Sequence, residues 1–250
     1  MRREDGMRGP AALFPVAFAL GAIILAPVPH AQAQDEQEGP IAIDKCLTDT
    51  APISKPGSYK LVNNLTLNGV GSCLSITADF VTIDLAGYTI SGPQLHSLVV
   101  GTGIRAFDDN SVGIAVRNGS IRGFAIGVNL QGSGSLVEGL RVFLGSGSAI
   151  IANGIVTGNT VLFSGLGFSP LRVGILATGT ITGNHASGTP GTAIQAGRGS
   201  TVIGNTAPGP GAVGISVDCP SNVTDNTAVG SSTNLMLNGQ GCTNTNNVAP

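Results

Sequence analysis

Asp108, Asp109 and Asn110 form the densest acidic cluster of this 250-residue chain, and Arg105, Arg117, Arg122 and Arg141 lie close to it in sequence. Paired carboxylates can bind a hard cation through oxygen ligands, while guanidinium groups hold carboxylates through two parallel hydrogen bonds. Chemistry on an acidic polymer would use such parts, and it makes Asp108, Asp109, Arg122 and Arg141 the candidate site residues. A plainer reading competes with it and is preferred. Residues 108–111 (DDNS) are also an ordinary turn whose side chains bond their own backbone. Arg122 in SIRGF (120–124) and Glu138 in SLVEGL (135–140) occupy matching places in successive repeats. They are therefore expected side by side as an exposed ion pair of little energetic weight, in a column continued by Thr157, Thr182 and Thr224.

Other constellations are weaker. His96 and His185 are the histidines beyond residue 33, and His185 replaces a threonine in a recurring GNTA pattern, so a surface turn is expected rather than a general base. The sequence contains no HExxH, SxxK or GxSxG and no calcium-binding GGxGxDx nonapeptide, so no metal site is expected. Beyond residue 33 there is no tryptophan, and Tyr59 and Tyr88 are the tyrosines. Phe80, Phe107, Phe124, Phe143, Phe163 and Phe168 are expected to fill interiors, which leaves no aromatic cleft for stacking sugars.

The elements that must position these side chains are short strands. Residues 155–159 (IVTGN), 181–184 (ITGN), 202–205 (VIGN) and 223–226 (VTDN) repeat one motif, with asparagines Asn159, Asn184, Asn205 and Asn226 spaced by 25, 21 and 21 residues. A fixed period of that size is the mark of stacked supersecondary units. Each repeat opens with a small residue before Ile, Val or Leu, as in Gly103-Ile104, Gly127-Val128, Ala149-Ile150, Gly174-Ile175, Ala193-Ile194, Gly214-Ile215 and Asn234-Leu235. From Cys46 onward no long helical period exists. The alternation of residues 80–90 (FVTIDLAGYTI) and the Gly, Asn and Ser punctuation give strands and tight turns. Because like residues return after each interval, they stack as parallel strands about 4.8 Å apart, with columns of Ile and Val inside. The asparagines at one bend can then hydrogen-bond up and down the stack as a structural ladder.

Composition narrows the setting. Arg2, Arg3 and Arg8 precede an apolar run over residues 11–26 and a small-x-small site at Ala31-Gln32-Ala33, the pattern of an export signal, with Met1 or Met7 as its start. The run is too short for a membrane span. Nine basic and twelve acidic residues remain beyond residue 33, which gives no electrostatic footprint for nucleic acid or an anionic membrane. Four cysteines in an exported chain favour disulfides, and local pairing suits an elongated stack: Cys46 with Cys73 and Cys219 with Cys242.

The paired strands, the asparagine repeat and the segments 55–67 (KPGSYKLVNNLTL) and 78–92 (ADFVTIDLAGYTISG) resemble the right-handed parallel β-helix superfamily with the pectate-lyase-like fold. They are similar in particular to its exported bacterial repeat proteins, over residues 46–247. The expected fold is all-β, a single-stranded right-handed parallel β-helix of about eight coils with a short N-terminal cap over residues 41–68. Its expected organisation is a signal peptide at 1–33, a flexible segment at 34–45 and the β-helix at 46–250. The resemblance implies an exported scaffold of the cell envelope or exterior, secreted or periplasmic, that is non-catalytic or contacts glycan weakly. Its partners would be a polysaccharide or an envelope protein, with no cofactor. The alternative it implies is a polysaccharide lyase or hydrolase on acidic glycans, and only that alternative would call for calcium.

Overall fold

The computed structural model describes residues 39–93, 100–106, 108, 110–144, 146–163 and 172–250. The expected export signal, His96, Asp109, Phe107 and Phe168 lie outside the described residues, as does most of the apolar segment 162–172. The described chain is all-β, a right-handed parallel solenoid of about nine turns rather than eight, with no helix among the described residues.

Each full turn runs across three parallel sheets. Strands of the first sheet include Ser72–Ile76, Thr102–Ala106, Thr192–Ala196, Val213–Asp218 and Thr233–Asn238. The second begins with Ile41–Ile43 on Gly57–Leu61 and runs through Val81–Asp84 to Thr201–Ile203, Asn222–Thr224 and Thr243–Thr245. The third includes Leu65–Thr66, Thr89–Ser91, Thr160–Phe163, His185–Ser187, Thr206–Pro208 and Thr227–Val229. Some strands pass through the bends without a break, the longest being Ile126–Leu144, which touches all three sheets. The stack begins at Ile41, inside the stretch that the sequence leaves as a flexible segment.

The register matches the repeat read from the sequence. Ile104, Val128, Ile150, Ile175, Ile194, Ile215 and Leu235 pair in unbroken order on the first sheet. On the second, Ile83, Val116, Val137, Val156, Ile181, Val202 and Val223 form the inward column, and all seven are fully buried. On the third the column shrinks from Ile90, Ile121, Val142 and Val161 to Ala186, Ala207 and Ala228. The small residue that opens each repeat has a steric cause. A Cβ on Gly103, Gly127, Gly174 or Gly214 would come within 2.3–2.6 Å of a carbonyl oxygen in the next turn.

The bend from second to third sheet carries the ladder. Asn159, Asn184, Asn205 and Asn226 are each at most 2% exposed. Asn184 shows the pattern: its Oδ1 accepts from both N–H and Nδ2 of Asn159 at 3.0 Å, and its Nδ2 donates to the Val156 carbonyl at 2.8 Å and to Asn205 Oδ1 at 3.0 Å. Every polar atom of a buried amide therefore has a partner. The column continues to Asn247, whose Oδ1 accepts from Asn226 N and Nδ2 at 2.8 Å. It ends at the other side on the Leu140 N–H, which donates to Asn159 Oδ1 at 2.9 Å. The residue before each ladder position is left-handed throughout: Asn118, Gly139, Gly158, Gly183, Gly204, Asp225 and Asn246 have φ between 55° and 63°. Gly, Asn and Asp are the residues that tolerate this conformation.

The cysteine pairs expected from the sequence are present, Cys46 with Cys73 and Cys219 with Cys242. The first ties residues 46–53 to the first sheet, where Leu47 and Ile53 bridge Leu74 and Ile76. The second staples neighbouring turns at the other end. No described helix is long and apolar enough to cross a membrane.

Two measurements test this account. Asn205→Ala removes the acceptor of two buried donors on Asn184 and should cost about 3 kcal/mol in urea unfolding, whereas half-exposed Asn247→Ala should cost about 1 kcal/mol; equal small losses would deny the ladder its role. The two cysteine pairs enclose sequence separations of 27 and 23 residues. Replacing Cys219 and Cys242 by Ser should therefore cost about 3 kcal/mol, and the unreduced, denatured protein should show no thiol that reacts with Ellman's reagent.

Candidate functional site

Each candidate side chain inherits its place from the register. Arg117 and Arg122 belong to Ala115–Arg122, which crosses the bend from second to third sheet, so they point outward from different sheets. Arg117 pairs with Asp84 on one side and Glu138 on the other. The outward column of the second sheet is therefore Lys60, Asp84, Arg117, Glu138, Thr157, Thr182, Ile203, Thr224 and Thr245. Charges alternate along its first four members, so each neighbour is attractive.

This corrects the pairing expected for Arg122. Glu138 stacks beside Arg117 and not Arg122, because the repeat aligns Arg122 with Phe143 one turn on and Ser91 one turn back. Matching SIRGF to SLVEGL shifts the register by five residues, from one sheet to the next. Arg122 Nε instead donates to Ser91 Oγ at 3.0 Å. The threonine column does include Glu138, Thr157, Thr182 and Thr224, interrupted by Ile203. Arg117 Nε lies 3.6 Å from Asp84 Oδ2, an ion-pair distance longer than a hydrogen bond. Asp84 also accepts the Ala86 N–H at 2.8 Å and the Asn118 amide at 3.4 Å, so its carboxylate secures the bend.

Asp108 is exposed and engaged by its own turn. Its Oδ1 accepts from Asn110 N at 2.8 Å and Nδ2 at 2.9 Å, and its carbonyl accepts from Ser111 Oγ at 2.6 Å. Arg141 lies outward on the third sheet between Ser120 and Thr160, diagonal to Arg122. It lines a shallow recess with Gly87, Asn118, Gly119, Ser120 and Gly139. His185 follows Thr160 in the same column, in a strand rather than a turn. The described part of the candidate set thus occupies a turn after the first sheet (Asp108) and the outer face of the third (Arg122, Arg141). No group of three or more His, Cys, Asp or Glu that could hold a metal occurs among the described residues.

Two further features escape the sequence reading. Gln131, Asn153, Thr178, Gln195 and Asp218 line a groove of about 230 Å³ beside the bend from first to second sheet. Phe80 and Phe143 face solvent, with 64% and 39% of their surface exposed, while Phe124 and Phe163 are buried as expected. The strand period carries this signal for Phe143, which stands between inward Val142 and Leu144 and so has outward parity, whereas Phe80 lies at the bend just before the strand Val81–Asp84.

Comparison with protein-family models, curated proteins and solved structures finds no match to this chain. A double-mutant cycle checks the charge register. Asp84 with Arg117 should couple by about 0.5 kcal/mol at low salt and less at high salt, while Arg122 with Glu138 should show no coupling; the reverse result would displace the register.

Proposed function

We propose that this protein is an exported β-helix scaffold of the cell envelope or exterior, non-catalytic, whose outer faces contact glycan weakly. The observation that carries the reading is the dispersal of the candidate groups among the described residues. Asp108 is closed into its own turn, while Arg122 and Arg141 project from a different sheet. Acid–base work on a sugar needs such groups to converge within hydrogen-bond reach of one reacting atom. Two disulfides fit an oxidising compartment, and Thr, Ser and Asn dominate the outer surface of the second and third sheets after residue 155. The amide-lined groove offers hydroxyl-binding partners without a reactive centre.

The test is a glycan array combined with a turnover assay on acidic polysaccharides, following unsaturated-uronate absorbance with and without calcium. Binding with no turnover is the expected outcome. Turnover that disappears in Arg141→Ala would overturn the reading and make the protein a lyase.

A further inference from the structure

Phe80 stands at the bend from first to second sheet with φ of 53°, in the left-handed region that bulky side chains avoid. The bend itself demands this conformation. Phe80 N donates to the Val112 carbonyl and Gly113 N to the Ser133 carbonyl, so Phe80, Gly113 and Gly134 are equivalent positions in successive turns. Gly113 and Gly134 adopt φ of 68° and 67° there. Glycine is the residue that the geometry favours, and in one turn phenylalanine replaces it at a cost in backbone strain.

Burial does not offset that cost, since 64% of Phe80 remains in solvent. Its ring lies against Gly113, where a Cβ would approach Cδ1 to 2.8 Å. Gly113 thus provides a seat, and the rest of the ring is left open. Pro56 precedes Gly57, whose N–H donates to the Phe80 carbonyl, and Val112 follows one turn on at 38% exposure. Pro56, Phe80 and Val112 form a short apolar strip along the solenoid. A polar group flanks it: Asp79 Oδ1 accepts the Val112 N–H at 2.8 Å.

We propose that Phe80 is a stacking platform for a neutral pyranose ring, with the neighbouring Asp79 carboxylate accepting its hydroxyls. An exposed aromatic face matches the C–H face of a sugar, and carboxylates are strong acceptors for O–H donors. The same carboxylate repels uronates, which selects a neutral glycan over an acidic one. This inference rests on the glycan-contacting part of the proposed function and names its ligand class. Backbone strain of this kind clusters at ligand-contacting sites.

NMR titration of the unmutated protein, Phe80→Gly and Phe80→Asn with cellohexaose and with hexagalacturonate tests it, alongside thermal unfolding. Cellohexaose carries its ring substituents equatorially and so presents C–H on both faces. The expected result is binding of cellohexaose in preference to hexagalacturonate, weakened at least tenfold in both variants, while their unfolding midpoints equal or exceed that of the parent. Unchanged affinity in the variants, or equal binding of the anionic hexamer, would overturn the platform and leave glycan contact standing. A parent protein that binds neither hexamer would overturn the platform, and silence on the full array as well would remove the glycan reading with it.

Discussion

Burying a primary amide is costly unless each of its donors and acceptors is met, and this protein turns that requirement into its organising constraint. At the bend between second and third sheets an asparagine enters the interior of each turn from Asn159 onward. It is satisfied by the asparagines of the turns before and after it and by the backbone of the turn before. No turn can shift along the chain without breaking both sets of bonds. The left-handed residue before each position of this column aims the side chain inward, and its φ stays between 55° and 63° over seven turns, five of which carry the asparagine. A one-residue slip would bring an unsuitable residue into that conformation and an amide to the surface.

The inward apolar columns obey the same register. Ile, Val and Leu stack on like residues because the ladder keeps the pitch uniform, and the first half, which lacks the ladder, uses bulk instead. Gly119 and Leu140 occupy the asparagine column there; Leu85 fills the space so closely that a Cβ on Gly119 would come within 2.3 Å of its Cβ. Interior filling and amide satisfaction are thus two solutions to one bend, used in different halves of the same solenoid.

Function follows from what the register leaves outside. Outward residues are fixed in columns, so any site must be assembled from neighbours along the axis or across one bend. The charge column from Lys60 to Glu138 alternates in sign, which directs attention to positions where the local conformation and the residue disagree. Phe80 is such a position: its backbone favours glycine and its side chain favours burial, and it has neither.

Much of this was legible from the sequence, because a solenoid is nearly one-dimensional: spacing alone sets which residues meet in the next turn. The fold class, the Ile104-to-Leu235 column and the local disulfides rest on intervals that can be counted. Asn247 was within reach as well, 21 residues beyond Asn226, but its strand carries Asn244 where earlier turns carry valine and so lacks the apolar marker. What the sequence could not decide was how each turn divides its residues among three sheets. Turns of unequal length place extra residues in the bends, so SIRGF and SLVEGL look alike yet lie on different faces, and Arg122 meets Ser91 while Glu138 meets Arg117. Only the folded chain, through backbone pairing at each bend, settles where those extra residues go, and with them which side chains share a surface.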